Sequence, residues 1–300
     1  MPWPAKVGSL TPPTDALLPR CSFPAPGTAL DCAVSGGADS LALLALACEA
    51  GCDVTAIHVD HGLRRGSAAE ADVVADAAAR FGARFRAERI DVGAGPNLEA
   101  RARAARYQAL PDGVATGHTA DDLAETVLLN LLRGAGLDGL APMLRADGRV
   151  HRPILRLRRA ETRALCAELG LEPVADPSND DPAFVRNRIR HELLPVLDAI
   201  AERDVAALLA RQATVLREEA DLLDSLADAL DPSDAKALAA APPALARRAV
   251  RRLLAGEHPP DAAGVERVLA VARNEAKACE VAGGLRVRRS RGRLVVERGA

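Results

Sequence analysis

The residues Ser35-Gly36-Gly37-Ala38-Asp39-Ser40 have the types and the spacing of a turn that holds phosphate groups. An apolar, strand-like run over 29–34 precedes them, and a helix-like run over 41–46 follows. The two glycines let the backbone approach a ligand closely, and a helix that starts near the acid points free N–H groups and a positive dipole end into the turn. Because Lys occurs only at positions 6, 236 and 277, this is not a Walker motif, and backbone groups, a metal ion and arginine must neutralise the phosphates.

A second set of chemically capable side chains comprises His118, Asp121, Asp122 and Glu125. Asp122 and Glu125 lie three residues apart, so a helix places both carboxylates on one face, where they would suit an ammonium group. Acids in the first turn of a helix also interact favourably with its dipole, which offers a purely structural role. His118 ends a predicted strand and is expected to orient a phosphate or a carboxylate, because no His or Cys stands at metal-ligand spacing from it.

Arginine is concentrated in four clusters, although the formal net charge is only −2. Binding to nucleic acid depends on where basic residues lie rather than on their total, so the clusters are candidate phosphate contacts. The arginines of the third cluster alternate within a predicted helix and therefore do not share one face. The clusters are Arg101, Arg103 and Arg106; Arg152, Arg156, Arg158 and Arg159; Arg186, Arg188 and Arg190; and Arg286 to Arg293.

Strands and helices that could position these residues alternate along the first part of the chain. Strands are predicted over 29–34, 53–59, 84–91 and 113–116, and helices follow each of them. This alternation predicts an α/β fold with a doubly wound, mostly parallel sheet. Ligands of such sheets bind beyond the carboxyl ends of the strands, where the segments 35–40, 60–65 and 117–122 fall. The three segments are therefore expected to meet at one crevice.

A change of composition near residue 201 indicates a second domain. The sequence becomes rich in Ala, Leu and charged residues, with helices predicted near 244–255 and 261–273 and a basic hairpin over 285–297. We predict a catalytic domain over 1–212, which includes a proline-rich extension over 1–25, and a small, mainly helical C-terminal domain over 213–300. Two domains suit a chain of 300 residues.

The composition is that of an ordinary globular protein, with 49% hydrophobic and 27% charged residues. No apolar run approaches the roughly 18 residues that a membrane-spanning helix needs, and prolines interrupt the stretch where a signal peptide would have its apolar core. We therefore expect a cytoplasmic protein without a membrane partner. The six cysteines include no Cys-x-x-Cys pair, so neither a zinc ribbon nor an iron–sulfur site is indicated.

The phosphate-binding turn resembles the PP-loop of the N-type ATP pyrophosphatases, enzymes that split ATP between the α and β phosphates to adenylate a substrate carbonyl oxygen. Four further strings together resemble the tRNA(Ile)-lysidine synthetase family over roughly residues 28–197, and their combination is far more specific than any one of them. The strings are His58-Val59-Asp60-His61-Gly62-Leu63-Arg64; Asn97-x-Glu99 running to Arg106-Tyr107; Thr116-Gly117-His118-Thr119-Ala120-Asp121-Asp122-x-x-Glu125-Thr126; and Asp176-Pro177-Ser178-Asn179 running to Phe184-x-Arg186-Asn187-x-Ile189-Arg190.

The resemblance implies ATP-dependent ligation of free L-lysine to C2 of the wobble cytidine in the CAU-anticodon isoleucine tRNA, through an adenylated cytidine, with release of AMP and diphosphate. It implies ATP and Mg²⁺ as cofactors, Asp39 as the metal ligand and Arg106 as a further catalytic residue. Asp122 and Glu125 would hold the lysine, and Asp39 or either of these two acids could accept its proton. The implied tRNA contacts are Arg186, Asn187 and Arg190, and the implied nucleotide contacts are Ser35, Gly36, Gly37, Ala38, Asp39, Ser40, His61 and His118.

Other functions compete with this interpretation. Thiolation of tRNA by a related pyrophosphatase would be expected to need catalytic or cluster-binding cysteines, and none lies in a Cys-x-x-Cys motif. An amidating ligase such as an NAD or GMP synthetase has no role for the string from Asp176 to Arg190. A non-catalytic nucleotide-binding protein would not need Asp39, Asp122 and Glu125. Contacts of the C-terminal arginine hairpin with the tRNA body, and a homodimer, are further expectations.

Overall fold

The computed structural model describes residues 13–60, 67–91, 93, 98–143, 149–174, 180–256 and 260–298. The chain forms two compact units, Met1–Thr214 and Val215–Ala300. Among the described residues of the first unit, five parallel strands form one sheet in the order β3-β2-β1-β4-β5. The strands are β1 (Ala29–Ala33), β2 (Asp53–Asp60), β3 (Arg84–Arg89), β4 (Val114–Thr116) and β5 (Val150–His151).

Helices cover the centre of the sheet, where β4 is buried throughout and β2 is buried over most of its length. One face of the sheet packs in the largest core cluster, where Leu41, Leu43 and Leu44 of α2 are fully buried. The helices of this unit are α1 (Pro13–Leu17), α2 (Ala38–Glu49), α3 (Ser67–Arg80), α4 (Leu98–Ala109), α5 (Ala120–Leu132), α6 (Leu137–Leu140), α7 (Arg159–Glu168), α8 (Val185–Arg188) and α9 (Leu194–Ala201), with a π-helical turn over Ile189–Leu193. A long helix, α10 (Val205–Asp228), follows.

The order of the strands creates a switch point between β1 and β4. The chain leaves β1 through α2 toward β2 on one side, and β4 pairs with β1 on the other side. In open parallel sheets the crevice at the carboxyl ends of two such strands is where ligands bind. The segments that follow β1 and β4 are the phosphate-binding turn and the residues 117–122.

The second unit has its own core. Helices α11 (Ala235–Ala240), α12 (Pro243–Leu253) and α13 (Ala262–Ala272) pack with an antiparallel sheet of β6 (Ala278–Val281), β7 (Leu285–Ser290) and β8 (Arg293–Arg298). Leu238, Leu269 and Val287 are buried in this core. None of the helices in the described residues is both long and apolar enough to cross a membrane.

The structure confirms the predicted α/β fold with a parallel sheet and a smaller, mainly helical C-terminal region. The four predicted strands of the first unit and the basic hairpin at β7 and β8 are present. Strands β5 and β6 and helix α7 were not predicted. Strand β5 is only two residues long, and α7 begins within a run of arginines that carries little apolar periodicity.

Candidate active site

The phosphate-binding turn joins β1 to α2 and has the backbone that its glycines allow. Gly36 has a φ of +84°, and its carbonyl group accepts a hydrogen bond from the N–H of Val174 at 3.0 Å. The Ser40 hydroxyl closes the turn, because it accepts from the N–H of Ser35 at 3.1 Å and donates to the carbonyl of Gly37 at 2.8 Å. The N–H of Ser40 donates to the carbonyl of Gly37 at 3.0 Å, and the helix N-terminus ahead of it has the general character of an anion site.

Gly117 brings the end of β4 against the start of α2. A Cβ at this position would lie 2.8 Å from the carbonyl oxygen of Asp39 and 3.0 Å from the nitrogen of Ser40. No real Cβ tolerates such distances to backbone atoms, so only glycine permits the two segments to approach this closely. The approach places Asp39 beside the segment that leads to His118 and Asp122.

A cavity of about 810 Å³ opens at this crevice. Parts of the turn line it together with the ends of β2 and β4, the last turn of α4 and the start of α7. The predicted site residues among its lining are Ser35, Gly37, Ala38, Asp39, Ser40, Arg106, His118, Asp122 and Arg190. Four motif regions that are distant in the sequence therefore share one cavity.

Asp39 projects from the first turn of α2 and is largely buried. One carboxylate oxygen accepts a hydrogen bond from the hydroxyl of Thr162, and the other lies 3.4 Å from Nε of Arg159. Burial raises the pKa of Asp39 above its ordinary value, although both partners favour the ionised form.

Asp122 lies at the start of α5, where its carboxylate accepts from the N–H of Thr119 at 2.8 Å and completes a capping box. Its second oxygen accepts from Nη2 of Arg159 at 2.9 Å. Burial alone would raise the pKa of Asp122, but the charges of Arg159 and Arg186 outweigh it and hold the pKa below its ordinary value. Asp122 is therefore an anion at the cavity wall.

Glu125 lies one turn further along α5 and is surrounded by three guanidinium groups. Its side chain is 0% exposed and accepts from Arg159 at 3.0 Å, from Arg186 at 2.8 Å and from both Nε and Nη2 of Arg190 at 2.7 and 3.1 Å. Burying a carboxylate is energetically costly unless charged hydrogen-bond donors compensate for the lost water, as these three arginines do. Glu125 thus anchors arginines that come from two other segments of the chain.

Asp121 is the fourth acid at the site, and it pairs with Arg158, the residue that precedes Arg159. Arg158 donates two hydrogen bonds to its carboxylate at 2.9 and 3.0 Å, and the backbone N–H of Arg159 donates a third at 2.7 Å. Burial would raise the pKa of Asp121, but these donors keep it below the ordinary value.

Two family models match this sequence. The PP-loop domain matches residues 18–197, and the TilS substrate binding domain matches residues 234–295. The tRNA(Ile)-lysidine synthase of Rhodococcus erythropolis is 47% identical over 235 residues, which are 74% of this chain and 72% of that protein. This chain belongs to the tRNA(Ile)-lysidine synthase family.

Other members of the tRNA(Ile)-lysidine synthase family agree with this result. The protein of Nocardia farcinica is 46% identical over 77% of each chain, and that of Thermobifida fusca is 42% identical over 80% of this chain and 81% of its own. Among solved structures, the U34-tRNA thiolase NcsA from Methanococcus maripaludis with its [4Fe-4S] cluster superposes with a TM-score of 0.56. It is 18% identical and covers 68% of this chain and 78% of its own, a likeness of fold alone.

The structure corrects two interpretations of the basic clusters in this member of the lysidine synthase family. Arg158 and Arg159 do not form a free basic surface, because both are paired with acids of the site. Arg186 and Arg190 contact the same carboxylate, that of Glu125, and so share a face, whereas Arg188 points elsewhere and pairs with Glu192.

Among the other site residues predicted for this member of the lysidine synthase family, two line the cavity, one is buried beside the backbone and one lies outside the described residues. Arg106 lines the cavity beside Tyr107, and His118 lies 2.7 Å from the hydroxyl of Thr116. Asn187 is buried and donates to the backbone carbonyl of Asp181 at 2.9 Å, which holds the local backbone. His61 lies outside the described residues.

Sequence reasoning missed Arg159 and Thr162, which both touch Asp39. In the sequence Arg159 belongs to a basic cluster, and no motif distinguishes Thr162. The signal in the sequence was Glu161, whose carboxylate accepts a hydrogen bond from the backbone N–H of Arg158 at 2.7 Å and so caps the start of α7. A helix beginning there would have placed Arg159 and Thr162 on one face.

Proposed function

We propose that this protein joins free L-lysine to C2 of the wobble cytidine in the CAU-anticodon isoleucine tRNA, with the conversion of ATP to AMP and diphosphate. One observation carries the proposal: a single cavity contains the PP-loop at the end of β1 and the anionic Asp122 at the start of α5. A nucleotide on the turn and an amine at the acid would then be close together. The membership of the chain in the lysidine synthase family supports this reaction.

The nucleotide phosphates are proposed to bind at residues 35–40, where helix α2 presents its N-terminus. Asp39 fits a magnesium ion, because Mg²⁺ is usually held by one or two carboxylates together with substrate phosphates. In the described residues no group of three or more His, Cys, Asp or Glu side chains could hold a metal by itself, so the phosphates would complete the site. When bound, the ion would neutralise the charge that develops on the departing diphosphate.

His58 is proposed as a further nucleotide contact. Its Nδ1 lies 3.0 Å from the carbonyl oxygen of Val34, which can only accept, so Nδ1 carries the hydrogen. Its Nε2 is buried and has no hydrogen-bond partner within the described residues, although the side chain lines the cavity. A buried polar atom of this kind calls for a partner, and a bound nucleotide can supply one.

The proposed reaction has two steps. Oxygen O2 of the cytidine attacks the α-phosphorus of ATP, the bond to the β-phosphate oxygen breaks, and diphosphate leaves. The deprotonated amine of lysine then attacks C2, and the C2–O2 bond breaks as AMP departs with the oxygen. The protein contributes positioning and charge stabilisation rather than a nucleophile.

We propose that Asp122 contacts the lysine ammonium, since it faces the cavity and its low pKa keeps it ionised. Glu125 is enclosed by Arg159, Arg186 and Arg190 and acts on the amine site by holding these groups. This arrangement refines the predicted pair of lysine-binding acids into one contact and one anchor.

The tRNA is proposed to bind both units of the chain. In the first unit Arg106, Tyr107 and Arg190 line the cavity, where an unstacked base could be held by an aromatic ring and by guanidinium groups. In the second unit Arg286 and Arg291 are exposed on the β7–β8 hairpin, within the region that matches the TilS substrate binding domain. We propose that the hairpin contacts the tRNA body, and that the reaction takes place in the cytoplasm.

The test is ATP-dependent transfer of labelled lysine to the CAU-anticodon isoleucine tRNA, with methionine tRNA as the competing acceptor. Transfer to the isoleucine tRNA alone, lost in Asp39→Ala and retained in Asp112→Asn, is expected. Asp112 is a suitable control because it is highly exposed and pairs only loosely with Arg149. Diphosphate release without lysine transfer would overturn the proposed acceptor and keep the nucleotide chemistry.

A further inference from the structure

Arg159 connects three acids through three different nitrogen atoms. Nη2 donates to Asp122 at 2.9 Å, Nη1 donates to Glu125 at 3.0 Å, and Nε lies 3.4 Å from Asp39. Its side chain is only 14% exposed. One guanidinium group therefore links the acid of the PP-loop with Asp122 and Glu125 of α5.

Thr162 lies one turn further along α7 and also contacts Asp39. It is fully buried, and its hydroxyl contacts a carboxylate oxygen of Asp39 that Arg159 does not contact. The Thr162 oxygen also lies 2.9 Å from the carbonyl oxygen of Arg159. The two side chains thus approach Asp39 from one face of one helix, and each takes a separate oxygen.

Helix α7 is itself fixed to the helix that carries Asp39. Leu165 and Cys166 of α7 are buried in the same core cluster as the leucines of α2. The thiol of Cys166 also lies 3.4 Å from the carbonyl oxygen of Ala38. This packing determines where Arg159 and Thr162 stand before any substrate binds.

The chemistry of the guanidinium group explains why arginine stands at this position. Three carboxylates close together repel one another, and a planar group with fixed donor directions can hold them apart at a defined spacing. Lysine offers one compact ammonium group on a flexible stem and cannot reach three acids in three directions. The longest contact, that with Asp39, is the one most easily exchanged for another cation.

We propose that Arg159 and Thr162 are positioning residues: Thr162 orients Asp39 for adenylation, and Arg159 sets the separation between Asp39 and the amine-binding Asp122, so that it acts on both steps. The inference rests on the proposed function, since it assigns one step to each acid. It predicts different defects for the two residues. Removing the Thr162 hydroxyl affects adenylation alone, whereas removing the Arg159 guanidinium group affects both adenylation and the attack by lysine.

The experiment separates the two steps with the full-length protein. Diphosphate release from ATP and the isoleucine tRNA, without lysine, reports adenylation, and the lysine dependence of transfer gives the KM for lysine. Thr162→Val is expected to slow adenylation by about tenfold or more, the scale of one charge-assisted hydrogen bond, and to leave the lysine KM unchanged. Thr162→Ser, which keeps the hydroxyl, should restore adenylation.

Arg159→Lys is expected to slow adenylation and also to raise the lysine KM, each by about tenfold or more. Arg159→Gln should be worse in both measurements, so that the conservative variant gives partial rescue. Arg84→Gln is the matched control, because Arg84 is exposed at the start of β3, away from the carboxyl ends of the strands, and pairs with Asp53. Unfolding midpoints of all variants show which of them are folded.

Two results would overturn the inference. A wild-type lysine KM in folded Arg159→Lys would show that Arg159 does not position the amine site. A raised lysine KM in folded Thr162→Val would show that the two residues do not act separately. If the wild-type protein fails to transfer lysine at all, the proposed function fails instead, and the two failures are distinct.

Discussion

Gly117 and Asp39 approach each other so closely that a side chain on the glycine would lie 2.8 Å from the carbonyl oxygen of the acid. The contact joins the end of β4 to the first turn of α2, on the two sides of the switch point. Both contacted groups are backbone atoms that a side-chain rotation cannot move. The nucleotide turn and the acids of α5 therefore depend on one position without a side chain.

Gly117→Ala is expected to weaken ATP binding and to lower the free energy of unfolding by about 1–3 kcal/mol, because the backbone of α2 must shift to admit the methyl group. Urea unfolding and nucleotide titration measure the two effects. Gly256→Ala is the control, since a Cβ there meets open space. Unchanged ATP affinity in folded Gly117→Ala would contradict the importance of the contact.

Glu125→Gln is expected to be strongly destabilising, by about 3–5 kcal/mol, because it leaves the guanidinium groups around it without their buried counter-charge. The free energy of unfolding from a denaturant titration checks this value. Glu192→Gln provides the comparison, since Glu192 is exposed and pairs with Arg188 at the surface, where a much smaller loss is expected. Similar losses in the two variants would show that burial adds nothing to the Glu125 network.

Asp121→Asn is expected to make the free energy of unfolding less sensitive to pH in the acid range. Because the pKa of Asp121 is lower in the folded protein than its ordinary value of 3.8, its ionised form stabilises the native state above pH 3.8. That contribution is lost as the pH falls through the lower, folded pKa. The gap in unfolding free energy between wild type and Asp121→Asn should therefore be largest near neutral pH and shrink in acid. A gap of the same size at neutral and at acid pH would contradict this prediction.

Removing the exposed arginines of the β7–β8 hairpin is expected to weaken tRNA binding in a salt-dependent way. In the double variant Arg286→Gln/Arg291→Gln, the slope of log affinity against log salt concentration should fall by about 0.7–0.9 for each phosphate group that is no longer neutralised. Titrations at several salt concentrations measure the slope. Arg247→Gln, on α12 and paired with Glu266, serves as the control. An unchanged slope would rule out phosphate binding by the hairpin.

The sequence was sufficient to predict four of the five strands of the parallel sheet, the PP-loop and the convergence of Asp39, His118 and Asp122, because each lies in a local pattern of a few residues. A parallel sheet then brings such patterns to one edge by topology alone. Their approximate boundaries followed from the hydrophobic runs.

The partners of these residues could not be predicted in the same way. Arg159 meets Glu125, which is 34 positions earlier in the sequence, and Arg190 meets it from 65 positions later. Such pairing depends on how α7 and the π-helical turn pack, and no local pattern encodes it. An arginine cluster also looks the same in sequence whether it faces a phosphate or a buried acid.

The balance of charge at the site restricts how this protein can change during evolution or be redesigned. If one of these acids or arginines loses or reverses its charge, its partner is left unpaired and mostly out of contact with water. Viable substitutions should therefore occur as compensating pairs. A designer who wishes to admit a different amine would accordingly have to alter an acid and an arginine together. The acids are Asp39, Asp121, Asp122 and Glu125, and the arginines are Arg158, Arg159, Arg186 and Arg190.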